Sequence, residues 1–243
     1  MDDAEFAHLA NQHALGDDPI PEMVRELAEG ADLDLVWRNE LGGLTFRAGE
    51  RFIKWNPRDS GDDLDRERLR LVWLEGRHPV PTVLDHGGDD RAQWLVTAAM
   101  GGEHAVGDRW RARRSEAIAA IATGLRALHT VPVDDFPEEW VDSAWPNRLE
   151  KGPGPRPAIE VPVLVHGDAC APNTLIDDDG DWVGNVDLGD LTVGDRWADL
   201  AIASISLDWN FGEGHQPEFF DAYGIEPDAD RIAFYRGLWD IAS

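Results

Sequence analysis

The stretch Val163-Leu164-Val165-His166-Gly167-Asp168-Ala169-Cys170-Ala171-Pro172-Asn173 constrains this chain more than any other part of it. Its apolar start reads as a short strand, and its polar continuation reads as a strand-exit loop carrying His166, Asp168 and Asn173. A second strand, Val183-Gly184-Asn185-Val186-Asp187-Leu188-Gly189, ends in another acid. Two strand ends that each deliver an oxygen ligand, with one more aspartate in the loop between them, suit metal-assisted phosphoryl transfer. Asp168 follows a glycine on this loop, where a substrate hydroxyl can reach it and give up its proton. Asn173 and Asp187 supply the neutral and anionic oxygens that magnesium prefers.

With 243 residues the chain can build one large domain or two lobes. No apolar run approaches the length that spans a bilayer. The start, Met1-Asp2-Asp3-Ala4-Glu5, has neither the basic nor the apolar region of a signal peptide, so a cytoplasmic location is expected. The single cysteine, Cys170, excludes an internal disulfide framework and a multi-cysteine zinc site. A formal net charge of −26 repels nucleic acid phosphates and anionic membranes, so neither is an expected partner. The same field attracts a cationic small molecule, although solubility or a salty cytoplasm explains it equally well. Lysine is confined to Lys54 and Lys151, which makes each retained lysine worth explaining.

Read in order, residues 1–20 suggest a short helix or arm, and Pro21–Glu29 a helix. Leu33–Arg38, Gly43–Ala48 and Arg51–Trp55 follow as three short strands. The turn at Leu41-Gly42-Gly43 is an ordinary turn or a place for backbone to approach phosphate. Lys54 lies on the third strand, as an exposed lysine or as a compact point charge for a phosphate. Asp62–Gly76 reads as a helix with Leu64, Leu71, Val72 and Leu74 as its apolar positions. Glu67 on that helix is either a solvated acid or the partner that holds Lys54. Val80–Gly87 and Gln93–Ala98 read as a hairpin, and Ala98-Ala99-Met100-Gly101-Gly102 as a connector of small residues. A long helix, Arg113–His129, comes next.

Thr130–Pro162 holds seven prolines and reads as loop, with Trp140 and Trp145 packing onto the larger lobe. Asp177-Asp178-Asp179-Gly180-Asp181 lacks the spacing of a calcium loop and reads as a tight turn between strands Thr174–Ile176 and Trp182–Val186. Helices are predicted over Asp195–Trp209, with Trp197, Leu200, Ile205 and Leu207 as core, then over Pro217–Tyr223 and Asp228–Asp240. Other chemistries fit less well. A Cys170–His166 nucleophile pair has no third residue to orient the imidazole, and the hydrolase, metalloprotease and Walker motifs are missing from the sequence.

His166-Gly167-Asp168, Asn173 and Asp187-Leu188-Gly189 together resemble the catalytic and metal-binding segments of the aminoglycoside phosphotransferase family, relatives of the protein kinases. Leu64-Asp65-Arg66-Glu67 through Pro81 resembles the family's αC helix and the strand beyond it. Leu125-Arg126-Ala127-Leu128-His129 resembles its helix before the catalytic region. Asp195–Leu200 and Tyr223–Tyr235 are similar to the C-terminal part of the aminoglycoside 3'-phosphotransferases. The resemblance runs from about Asn39 to the end of the chain. It implies an α+β, bilobal, protein-kinase-like fold: an N-terminal antiparallel sheet lobe with one helix (1–97), a hinge (98–102) and a mainly helical C-terminal lobe (103–243).

Carried over by position, the resemblance implies Asp168 as catalytic base and Asn173 and Asp187 as ligands of Mg2+. Lys54 would contact the phosphates of ATP, with Glu67 as its ion-pair partner. Thr97, Ala99 and the rest of Thr97–Gly101 would hydrogen-bond adenine through backbone groups, with GTP as the alternative nucleotide. Asp199 would buttress the catalytic loop from below, and His166 would orient it. Two departures concern the acceptor. The segment after His129 is shorter than in the 3'-phosphotransferases, and Gly237-Leu238-Trp239-Asp240-Ile241-Ala242-Ser243 replaces the family's acidic, aromatic ending, with Asp240 as the stand-in for one of its carboxylates. The expected reaction is phosphorylation of a hydroxyl on a small molecule, an aminoglycoside foremost, by a monomer or weak dimer. Another hydroxylated metabolite as acceptor, or nucleotide binding without turnover, are the alternatives.

Overall fold

Alternation of apolar and polar side chains assembles the first sheet. Strands β1 (Leu33–Arg38), β2 (Leu44–Ala48), β3 (Arg51–Pro57), β4 (Val83–Gly88) and β5 (Ala92–Ala98) are antiparallel neighbours in the order β1-β2-β3-β5-β4. On β2, Leu44, Phe46 and Ala48 are buried while Arg47 is exposed, the period of two that a strand with one buried face requires. The register sets Phe46 beside Ile53 and Ile53 beside Val96, and helix α1 (Glu22–Leu27) covers that row with Val24. The row on the other face, Thr45 beside Lys54 beside Leu95, carries Lys54 toward helix α2 (Leu64–Leu74).

This computed structural model describes residues 20–39, 41–61, 63–142, 144–148, 152–159 and 161–242. Residues 1–19 of the arm expected over 1–20, together with Asp62 and Lys151, lie outside the described residues. The chain separates into two units, one formed by the chain up to Glu75 with Pro81–Ala99, the other by Gly76–Val80 with Met100 onward.

Helix α2 starts where Asp63 caps it, its carboxylate accepting from the N–H groups of Asp65 (3.0 Å) and Arg66 (3.3 Å). Such a cap contributes about 1 kcal/mol. The buried stripe runs through Leu64, Glu67, Leu71 and Leu74, at helical spacing. Val72, expected in the core, is 49% exposed, because it stands one position off that stripe. A glutamate takes the place in the stripe that an apolar side chain would otherwise fill.

The second unit is mainly helical: α3 (Asp108–Ala112), α4 (Arg114–Leu128), α5 (Glu138–Val141), α6 (Trp197–Phe211), α7 (Gln216–Tyr223) and α8 (Ala229–Ala242). Two small sheets accompany the helices. One pairs β7 (Pro162–Val165) with β10 (Thr192–Asp195), and the other orders β6 (Glu103–His104), β8 (Thr174–Ile176) and β9 (Trp182–Asn185) as β6-β8-β9. Its core joins Ile118, Ile121 and Leu125 of α4 to Trp197, Leu200 and Leu207 of α6, and to Phe219 and Tyr235; Ile205, expected in the core, is half-buried.

The helix predicted over Arg113–His129 is α4, and the short helix α3, which was not predicted, precedes it with a break at Arg113 (φ −114°, ψ 44°). The break lets the guanidiniums of Arg109 and Arg113 each lie 5.0 Å from the ring of the buried Trp110. The helix expected from Asp195 begins at Trp197, since Asp195 still belongs to β10. The segment predicted as loop over Thr130–Pro162 contains α5 and a 3-10 turn, Trp145–Asn147. Asp177 closes the acidic turn between β8 and β9 by accepting from the N–H groups of Asp179, Gly180 and Asp181 (3.0, 3.1 and 3.0 Å). Among the described residues no helix is long and apolar enough to cross a membrane.

His78 is buried with its ring 5.2 Å from that of Trp182, and its Nε2 meets Asn185 Oδ1 at 3.0 Å. The amide oxygen only accepts, so Nε2 carries the proton of a neutral imidazole. Burial pulls the His78 pKa from 6.5 down to about 4, against the opposing pull of the Asn185 hydrogen bond. Because the folded value is the lower one, the contribution is complete above pH 6.5 and is lost as the pH falls through about 4. It amounts to about 3 kcal/mol at most. Urea unfolding between pH 7 and pH 4 should therefore show a loss of stability that His78→Gln flattens. An unchanged slope in that variant would assign the loss to other groups.

Candidate active site

The loop after β7 turns at Gly167, whose φ of +83° lies in the left-handed region. A Cβ there would sit 2.4 Å from the carbonyl oxygen of Asp190, so both conformation and space require glycine. The Asp199 carboxylate, 1% exposed on α6, accepts from the N–H of His166 (2.7 Å) and of Gly167 (3.0 Å). It also meets His129 Nε2 at 2.9 Å, while His129 Nδ1 lies 2.7 Å from the Tyr223 hydroxyl. A carboxylate only accepts, so His129 donates through Nε2 and receives the tyrosine O–H at Nδ1.

Asp168, half-buried, donates its N–H to His166 Nδ1 at 3.2 Å. The Asn173 side-chain amide donates to the Asp168 carbonyl and to Asp168 Oδ2, both at 2.9 Å. Both amide hydrogens of Asn173 are thereby directed at Asp168, and Oδ1 is left as the acceptor of the pair. Burial pushes the Asp168 carboxyl above the usual carboxylate range, with help from the Asp187 charge; His166 and hydrogen bonds from Cys170 and Asn173 oppose the shift. The Asn173 carbonyl accepts from the Val186 N–H at 3.0 Å, tying this loop to the segment that carries Asp187. Asp187 is exposed, with φ +59°, just before the fully buried Leu188.

In the other unit, Lys54 Nζ lies 2.7 and 2.8 Å from the two carboxylate oxygens of Glu67. The pair is partly buried, so the lysine is held in one place rather than swept through solvent. Thr97 is buried on β5. Ala99, expected to offer backbone groups to adenine, donates its N–H to the Glu50 carbonyl at 2.9 Å and so extends the sheet. That amide is committed; of Ala99, only the carbonyl could serve a ligand. The turn at Gly42-Gly43 is pinned by Asn39 Oδ1, which accepts from the N–H groups of Leu41 (3.1 Å) and Gly43 (2.6 Å). A Cβ on Gly43 would lie 2.4 Å from Asn56 Oδ1, so packing accounts for this glycine.

The structure thus gathers Asp168, Asn173 and His166 in one loop and pairs Lys54 with Glu67. Asp240 is exposed on α8. Burial, and after it the Asp168 charge, push the Cys170 thiol well above its ordinary range, which disposes of it as a nucleophile. Two residues of this loop's support were not read from the sequence. Ser206 accepts from the Ala171 N–H at 2.9 Å, and Asn210 donates to Ser206 Oγ at 3.2 Å. Their signal was present: Asp199, Ser206 and Asn210 share one face of a mostly apolar helix.

Three comparisons agree. The model of the phosphotransferase enzyme family matches residues 23–158 and 153–236. An aminoglycoside 3'-phosphotransferase of Streptomyces fradiae is 34% identical over 221 residues, covering 75% of this chain and 81% of the relative. The crystal structure of an aminoglycoside-3'-phosphotransferase of type VIII superposes with a TM-score of 0.73 at 28% identity, covering 89% of this chain and 97% of that one. A Streptomyces rimosus aminoglycoside phosphotransferase in complex with ADP and streptomycin gives 0.67 at 25% identity, covering 92% and 100%. The chain belongs to the phosphotransferase enzyme family and has its kinase-like α+β fold.

Gly167→Ala should lower stability by at least about 2 kcal/mol, combining a strained φ with overlap on a backbone carbonyl. Chemical denaturation beside wild type measures it; a variant of equal stability would show that the loop can turn another way.

Proposed function

We propose that this chain transfers the γ-phosphoryl group of ATP to a hydroxyl of an aminoglycoside. The observation that carries the reading is the pairing of Asp168 with Asn173: one residue poised to accept a proton, the other aiming its amide at that acid and its oxygen away. A carboxylate with a raised pKa is a stronger base than an exposed one, and it accepts the hydroxyl proton as the oxygen attacks phosphorus. Glu67 fixes the Lys54 ammonium, which neutralises phosphate charge.

Among the described residues no group of three or more His, Cys, Asp or Glu side chains could hold a metal ion on its own. Asn173 Oδ1 and the Asp187 carboxylate nevertheless match a hard cation that takes most of its ligands from phosphate and water. These two residues would hold Mg2+, which when bound spreads the charge of the transferring group. Asp199 does no chemistry in this scheme; it keeps the loop that presents Asp168 in one conformation.

The similarity to 3'-phosphotransferases and to a streptomycin complex supports a polycationic acceptor, as does the net charge of −26. A monomer or weak dimer acting in the cytoplasm, with GTP as the alternative donor, completes the reading. Incubation with ATP, Mg2+ and a panel containing kanamycin, neomycin and streptomycin should yield a phosphorylated drug detectable by mass. Asp168→Asn should cut that turnover at least about a hundredfold while leaving nucleotide affinity within a few-fold. ATP hydrolysis with no modified drug across the panel would instead favour another hydroxylated metabolite as acceptor.

A further inference from the structure

The peptide bond that joins Gly167 to Asp168 is held at both ends by side chains. Its N–H, that of Asp168, goes to His166 Nδ1 at 3.2 Å. Its carbonyl, that of Gly167, accepts from the indole Nε1–H of Trp145 at 2.5 Å, a buried bond to a residue far away in the chain. Trp145 lies on the 3-10 turn Trp145–Asn147 within the proline-rich segment and is 5% exposed. We propose that Trp145 is a positioning residue for Asp168. Its N–H fixes the plane of the peptide from which the Asp168 side chain springs, and thereby the direction in which that carboxylate faces. The proposal rests on the reading of Asp168 as the base.

Three further contacts give the indole a fixed seat. The Asn147 amide donates to the Val141 carbonyl (2.8 Å), Thr192 Oγ1 (3.1 Å) and the Val193 carbonyl (2.9 Å). The turn is thereby fastened to β10, and β10 pairs with β7, the strand that runs into the loop. Arg156 donates to the Pro146 carbonyl from further along the same segment. The Trp145 ring packs edge-on against Trp239 of α8, with centroids 5.2 Å apart and planes at 86°. A tryptophan needed only for packing would not have to aim its one polar atom at the peptide before the base. A buried indole N–H needs an acceptor, and this arrangement spends it on the only residue separating His166 from Asp168.

Trp145→Phe keeps an aromatic ring, though a smaller one, and removes the donor. We expect kcat to fall about tenfold with the KM values for ATP and for the phosphorylated aminoglycoside within about twofold of wild type, the split that marks an interaction felt in the transition state. A folded variant with wild-type kcat, or one altered only in KM and stability, overturns the proposal. The second measurement is the indole 1H–15N resonance of Trp145, identified by its absence from Trp145→Phe, or from Trp145→Tyr if the former does not fold. It should exchange with solvent far more slowly than exposed indoles; fast exchange overturns the clamp whatever the kinetics. Wild-type protein that phosphorylates no drug and hydrolyses no ATP would sink the kinase reading, with the resonance still judging the clamp. Normal wild-type turnover with unimpaired Trp145→Phe would sink the clamp alone.

Discussion

A carboxylate that is almost wholly buried must be answered by donors or it unfolds what surrounds it. Asp199 is answered by the backbone N–H groups of His166 and Gly167 and by the His129 ring. The dependence runs both ways. Those amides belong to a turn at positive φ, where no regular secondary structure can satisfy them, so the acid that needs donors and the turn that needs an acceptor stabilise each other. Charge-assisted bonds of this kind contribute about 1.5–3 kcal/mol each. Tyr223, seated on α7, extends the hold by donating to His129. The loop carrying Asp168 is therefore anchored to three helices through one side chain.

The same economy of contacts appears at Glu67. Its place in the buried stripe of α2 withdraws an anion from water, and the Lys54 ammonium offsets that cost. A lysine on a sheet and a glutamate on a helix are thus fixed to each other before any ligand arrives. For phosphoryl transfer, where positioning and charge neutralisation do nearly all the work, a cation with little freedom left to lose is the useful kind.

How far the sequence could be read follows from the range of the interactions involved. Asp168, Asn173 and Asp187 lie within one short strand-loop-strand, so local spacing is enough to single them out as candidates. Local pattern leaves Glu67 open between a solvated acid and the partner of Lys54, although its spacing from Leu64, Leu71 and Leu74 places it on the buried face. The strand β10 escaped notice because Thr192-Val193-Gly194-Asp195 has no apolar run; it is a strand only because β7 pairs with it. The Ala99 N–H has a sheet partner in Glu50, which narrows what this residue can offer a ligand to its carbonyl, and pairing between distant strands leaves no mark at either residue. Trp145 could be placed in the core from its size and neighbours. That its nitrogen meets Gly167 depends on a turn, a strand pair and a packed helix acting together, and no local pattern encodes that.

These supports acquire a common purpose from the state of Asp168 itself. Burial raises its pKa, so the folded protein is less hospitable to the ionised form than the unfolded chain is. The sign follows directly: the stability this residue contributes is greatest while it is protonated and is lost as the pH rises through its folded pKa. Wherever its ionised form is populated, the Asp168 side chain works against the loop that holds it. A loop gripped only by its own backbone could relieve that cost by letting the carboxylate swing toward water. Holding the peptide through Asp199, His166, Trp145 and Asn173 removes this escape. The number of side chains committed to so short a segment is what keeping an unfavourably placed carboxylate in position requires.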